Sequence, residues 1–253
     1  MKNNKSLGQH WLQDRAILDE IAELAAKDMD ADTVCLEIGP GLGTLTSSLL
    51  RRFGKVIAVE FDQKLAANLP KSFPGKNLQV VSGDILQVKV ADLVATSNYV
   101  VAGNIPYYIT SPIVRAMLQT QPQPRRIVLL MQKEVAARIA AEPGDHSLLS
   151  LMVQNQAEVE LGPVVPAELF TPPPKVDSQV IILTPLAEAQ VSAAAMKLAQ
   201  RGFSNPRKKL SANLASPQRT KADWESTLEK CGLNPAARAE DLDLWDWEDL
   251  AKA

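Results

Sequence analysis

Asn104-Ile105-Pro106-Tyr107 carries side chains that can hold and aim a flat amine. The Asn oxygen and a backbone carbonyl held by proline are two acceptors, enough to grip an exocyclic amine with two N–H donors. The Tyr ring offers a face on which a base can stack. That set suits methyl transfer to a nucleobase amine. Asn and Pro are also common turn residues, so the same four residues can be an ordinary strand-to-helix turn. The rest of the chain has to decide.

The tetrad follows Tyr99-Val100-Val101-Ala102-Gly103, an apolar run that reads as a buried strand. Ser111-Pro112 follows and signals a helix start. A loop at the carboxyl end of a strand is where open α/β sheets bind ligands. A second such loop lies upstream. Thr33 to Ile38 reads as a strand, Gly39-Pro40-Gly41-Leu42-Gly43 as a turn, and Thr44 as the cap of a helix reaching Phe53. Glycines there let a ligand approach the backbone. The next strand, Lys55 to Val59, ends in Glu60, 21 residues after Gly39. A carboxylate so placed can accept both hydroxyls of a ribose. A dinucleotide site would want G-x-G-x-x-G and a phosphate cradle. The tighter spacing, Pro40, and acidic Glu37 before the turn favour S-adenosylmethionine (SAM) instead.

Leu78 to Val81 is a third strand, and Asp84 beyond it can accept from the adenine amine of the cofactor or simply hold a turn. Ile127 to Met131 and Ala157 to Val165 read as further strands, and Leu148 to Val153 as helix or strand. Phe170 to Ser178 is a proline-stiffened loop before a strand, Gln179 to Leu183. It can hold Phe170 opposite Tyr107 as the second face of a base sandwich, with Lys175 on phosphate. The alternative puts Phe170 in the core. Near the start, Asp14 caps a helix behind a lead-in, Lys5 to Leu12, that can cover a ligand or merely dock.

The whole is expected to be α/β: a doubly wound sheet with helices on both faces over residues 1–185, then a small helical domain over 186–253, divided at Thr184-Pro185. Helices are expected at Glu188 to Phe203, Pro206 to Leu214, Asp223 to Cys231 and Trp245 to Ala251. Among 253 residues, 46% are hydrophobic and 22% charged, the balance of a soluble protein with an ample core. No apolar run approaches the roughly 20 residues of a membrane span. No apolar stretch follows Met1 to Lys5, so no signal peptide and a cytoplasmic location are expected. Two His and two Cys make no metal cluster, and Cys35 reads as a buried thiol. Net charge is −2, yet seven basic residues and no acid lie between Lys197 and Lys221. Arg207, Lys208 and Lys209 are the densest of these, either a nucleic-acid contact or a solvated face.

Gly8-Gln9-His10-Trp11-Leu12, Leu36 to Gly43, Asn104 to Tyr107 and Phe170 to Ser178, in that order, resemble the rRNA adenine N6-dimethyltransferases, the KsgA-type enzymes and their Erm relatives. The resemblance spans about Leu7 to Leu250. Gln132 to Arg138, Val176-Asp177-Ser178, Arg207-Lys208-Lys209-Leu210 and Arg238-Ala239-Glu240 resemble the small-subunit (16S) branch. The chain departs in having Trp11 for the usual Phe, and Asp145-His146-Ser147 where a Tyr-Gly pair usually stands. The resemblance implies a Rossmann-like methyltransferase with SAM against Gly39, Gly41 and Gly43, ribose on Glu60, and adenine near Asp84 and Ile85. His10 and Leu12 would close over the cofactor. A flipped adenosine would lie between Tyr107 and Phe170, its N6 protons on Asn104 and the Ile105 or Pro106 carbonyl. Two transfers to each of two adjacent adenosines, no metal, a monomer, and rRNA within an assembling 30S-type particle as substrate are implied as well. The alternatives are an Erm-like large-subunit methylase, a non-catalytic SAM-binding ribosome-assembly or transcription factor, and, least favoured, a nicotinamide-dependent oxidoreductase.

Overall fold

The computed structural model describes residues 10–253. The lead-in before His10, with Gly8 and Gln9, lies outside the described residues. In chain order the strands are β1 (Trp11–Leu12), β2 (Val34–Ile38), β3 (Lys55–Glu60), β4 (Leu78–Ser82), β5 (Tyr99–Asn104), β6 (Arg126–Gln132), β7 (Ala157–Val165), β8 (Phe170–Thr171) and β9 (Ser178–Pro185). The helices are α1 (Arg15–Ala26), α2 (Thr44–Arg52), α3 (Gln63–Asn68), α4 (Val90–Val94), α5 (Thr110–Gln119), α6 (Lys133–Ile139), α7 (Leu148–Gln154), α8 (Ala193–Gly202), α9 (Leu210–Leu214), α10 (Lys221–Lys230) and α11 (Leu244–Lys252).

A seven-stranded sheet runs in the order β4-β3-β2-β5-β6-β9-β7. β2 to β6 pair in parallel, and β9 lies antiparallel on β6. All five residues of β2 are buried, as a strand covered on both faces requires. From β2 the chain winds outward to β3 and β4, then returns to lay β5 on the other side of β2. Loops leaving β2 and β5 therefore diverge, and the crevice between them is the ligand position of a doubly wound sheet. Under the sheet, α1 and α2 pack Leu18, Ile21, Leu45 and Leu49 with Val100, Ala102 and Val128.

Local signals set the helix starts. Asp14 Oδ1 accepts from Ile17 N at 3.0 Å, and Asp62 Oδ1 from Lys64 N at 2.8 Å. Expected boundaries shift where a glycine or a polar side chain intervenes. Gly43, at φ +82°, caps α2 in place of Thr44. Ser192 caps α8, so that helix starts five residues later than expected. Pro206 to Lys209 stay outside α9.

The chain forms two compact units. One holds the described residues to Ala136 together with Glu158–Pro185; the other holds Ala137–Ala157 with Leu186–Ala253. Residues 137–157 join the second unit, apart from the rest of the chain before Leu186. The reason is apolar: Leu151 of α7 is fully buried in one cluster with Leu198, Leu210, Trp224 and Trp247. Among the described residues no helix is long and apolar enough to cross a membrane.

Candidate active site

One cavity of about 300 Å³ opens at the carboxyl ends of β2, β3 and β5. Of the expected site residues, His10, Leu12, Gly39, Gly41, Glu60, Asp84, Ile85 and the whole Asn104–Tyr107 tetrad line it. Gly43 does not. It turns the chain into α2 behind the cavity, where a Cβ would meet Leu69 and Phe73.

The glycine turn is held from the neighbouring strand. Glu60, at the end of β3, accepts from Gly41 N through Oε2 at 2.9 Å and from Asp62 N through Oε1 at 2.8 Å. Burial pushes its carboxyl up, and these backbone donors pull it down. Each oxygen keeps a second lone pair for a hydroxyl. Gly39 and Gly41 sit at φ +65° and +56°. The Trp11 ring lies where a Gly41 Cβ would be, so this glycine is needed for shape as well as for backbone angle.

Glu37 lines the floor of the cavity at 1% exposure, and its Oε2 has no partner. Burial first, and then the negative charge of Glu60, push its carboxyl up to about 8. A buried acceptor without a donor is costly, and here it faces a cavity where a ligand can supply one. With a second lone pair left on each Glu60 oxygen and an unpartnered Glu37 oxygen at the cavity, the residues present fit SAM, whose amino and ribose groups are the matching donors. Asp84 is tied down by Leu86 N at 3.0 Å and Gln87 Nε2 at 3.1 Å.

The tetrad forms the opposite wall. Asn104 Nδ2 donates to the His10 carbonyl at 3.1 Å, which leaves Oδ1 as the acceptor end of the amide. Ile105 is buried and its N–H donates to Leu130 O at 3.3 Å. The Pro106 carbonyl accepts from Ile109 N at 3.2 Å as Tyr107–Ile109 makes one 3₁₀ turn before α5. The Tyr107 hydroxyl and Ser178 Oγ are 2.8 Å apart, which anchors the ring from β9. Burial pushes that phenol up.

Phe170 does not line the cavity. It is 2% exposed and packs in the core below the sheet. The antiparallel β1–β8 pair sets Phe170 opposite Leu12, which turns both side chains inward. The ring beside Tyr107 is instead His10, with centroids 5.8 Å and planes 17° apart. Two lining aromatics escaped the sequence reading, Phe61 at 62% and Tyr108 at 63% exposure. Phe61 directly follows Glu60 and Tyr108 directly follows Tyr107, and an aromatic next to a candidate site residue was the signal available. Lys175 is exposed on the proline loop, and Arg207, Lys208 and Lys209 are exposed in the second unit. Among the described residues no group of three His, Cys, Asp or Glu could hold a metal.

A family model for ribosomal RNA adenine dimethylase matches residues 1–252. The ribosomal RNA small subunit methyltransferase A of Dehalococcoides mccartyi (strain CBDB1) is 39% identical over 257 residues, covering 99% of this chain and 88% of its own. The protein of the same name from Gloeobacter violaceus is 43% identical over 95% of this chain and 89% of its own. Among solved structures, a dimethyladenosine transferase from Plasmodium falciparum is 29% identical with a TM-score of 0.80, over 95% of this chain and 96% of that one. The 23S rRNA methyltransferase ErmE is 29% identical with a TM-score of 0.75, over 96% and 98%. With the glycine turn, Glu60 and the Asn104–Tyr107 tetrad on one cavity, and a family match along nearly its full length, the chain belongs to the ribosomal RNA adenine dimethylases, enzymes that use SAM as methyl donor.

Proposed function

We propose that this chain dimethylates N6 of two adjacent adenosines in small-subunit (16S) rRNA. The observation that supports this reading is the Asn104 amide, whose Nδ2 donates to the His10 carbonyl and so leaves its oxygen as the acceptor end. SAM supplies an electrophilic methyl on its sulfonium. Asn104 Oδ1 and a backbone carbonyl accept the two N6 protons of a flipped adenosine and aim the nitrogen lone pair. The Ile105 carbonyl is favoured as the second acceptor, since that of Pro106 already serves Ile109. Both acceptors are neutral, so a monomethyl amine still fits with one proton held. Tyr107 gives the base a face, and Arg207, Lys208, Lys209 and Lys175 are the candidate phosphate contacts. Each transfer replaces one N6 proton, released to solvent, by a methyl, and rate enhancement comes from positioning, with no covalent intermediate.

The relatives' names favour the small subunit, and we take the substrate to be rRNA in an assembling 30S-type particle, met by a monomer in the cytoplasm. The test is transfer of labelled methyl from SAM to unmethylated small and large subunits, with the modified adenosines mapped by mass. Dimethylation of two neighbouring small-subunit adenosines is expected. Large-subunit labelling supports the Erm-like alternative, and SAM binding without transfer supports the non-catalytic one.

A further inference from the structure

His10 touches the acceptor side of the cavity at two points and the proline loop at a third. Its ring stacks on Tyr107 at 5.8 Å and 17°. Its backbone carbonyl takes the Asn104 Nδ2 proton at 3.1 Å. Its Nδ1 lies 2.7 Å from the Pro172 carbonyl. A carbonyl can only accept, so Nδ1 carries a proton and donates. The next residue, Trp11, rests against Gly41 of the glycine turn, and Gln13 N donates to Leu169 O at 3.4 Å. One short strap therefore contacts both the cofactor wall and the acceptor wall.

From these contacts we infer that His10 is a positioning residue of the acceptor site, tying the Trp11–Leu12 strap to Asn104 and Tyr107 so that seating the strap and orienting the acceptor groups are one event. The inference rests on the reading of Asn104 and Tyr107 given above, and adds a coupling to it. An amide side chain can present either end to a ligand. The His10 carbonyl selects the oxygen end, because an Asn oxygen turned toward that carbonyl would face another acceptor. The stacked imidazole limits the tilt of Tyr107 from the same side. A cover for SAM alone would need neither contact.

The test compares His10→Ala and His10→Phe with the wild-type full chain. Hydrogen exchange without ligands is read at the Ile109 amide, bonded to Pro106 O in the tetrad loop, and at Gln13 in the strap. Calorimetry reads SAM affinity, and single-turnover transfer at saturating SAM and RNA reads the rate. An aromatic stack is worth about two- to tenfold in a local opening equilibrium. His10→Ala should accelerate Ile109 exchange by about that factor and slow transfer by at least as much. SAM affinity should change less than the rate does. His10→Phe keeps the ring face and should restore most of both losses. Asn104→Ala should in turn loosen Gln13, because coupling is reciprocal. Unchanged Ile109 exchange in His10→Ala overturns the inference. So does lost SAM affinity with a normal rate at saturation, which would make the strap a cofactor cover only. A wild-type chain inactive on small subunits would defeat the proposed function, and the exchange comparison would then decide the tether by itself.

Discussion

At the scale of single residues, Asn104 and Tyr107 make separable contributions. Asn104→Ala removes one positioned contact in the transition state, a loss of about 10²–10³ in rate. SAM and RNA binding should persist, and near-normal single-turnover rates at saturating RNA would sink the mechanism. Tyr107→Ala should weaken RNA capture as well, by the roughly 1–3 kcal/mol of a base stack. Tyr107→Phe keeps the face and loses only the Ser178 bond, about 0.5–1.5 kcal/mol of local stability. Glu37 makes a different prediction. Its carboxyl rises from 4.5 to about 8 on folding, so the folded chain holds a proton that the unfolded chain has released. The stability this group contributes is complete below pH 4.5 and is lost as pH rises to about 8. One proton allows a slope of at most about 1.4 kcal/mol per pH unit. Glu37→Gln cannot release the proton, so denaturant titrations between those pH values should show a flatter stability profile. A parallel profile would place the pH dependence elsewhere.

At the scale of elements, the glycine turn and the strap are built against each other. Gly41 is at φ +56°, and Trp11 occupies the space of its missing Cβ. Gly41→Ala adds a strained backbone angle and forces the indole away, an overpacking cost of about 1–3 kcal/mol. Calorimetry should show weaker SAM binding, and Trp fluorescence a displaced ring. Trp11→Ala made with it should recover part of that affinity. Affinity equal to wild type in Gly41→Ala would mean that the turn tolerates a side chain. The central strands were readable because parallel strands buried on both faces are near-continuous apolar runs, as in Val34–Ile38 and Tyr99–Asn104. Gly39, Gly41, Glu60 and the tetrad stand at the ends of such runs, and the structure brings them to one cavity. Phe170 stayed open between a base face and the core, because its burial depends on pairing with Leu12, over 150 residues away. The same holds for residues 137–157, which share a core with residues far along the chain. Tertiary packing sets both, and local pattern carries no trace of it.

At the scale of the whole molecule, charge poses the last problem. A net charge of −2 gives no general attraction to RNA, so affinity must come from a local surface. The second unit carries the basic run from Lys197 to Lys221. Its members are not equivalent. Arg219 is spent inside the unit, its guanidinium 3.7 Å above the Trp224 ring, and Arg201 donates to the Leu214 carbonyl at 2.8 Å. Arg207, Lys208 and Lys209 instead stand exposed on the turn before α9, and no ion pair among the described residues holds them. They can therefore exchange counterions for phosphates at little structural cost. Replacing all three by Ala should weaken binding to every RNA by a similar factor, because phosphate contacts carry no sequence information. Each lost contact should flatten the log–log salt dependence by about 0.7–0.9, so the triple variant should lose up to about 2–3 in slope. Titrations of small-subunit rRNA and an unrelated RNA at several salt concentrations measure both quantities. An unchanged slope, with the same affinity for each RNA, would make the cluster a solvated face and move the search for the RNA path to Lys175 on the proline loop.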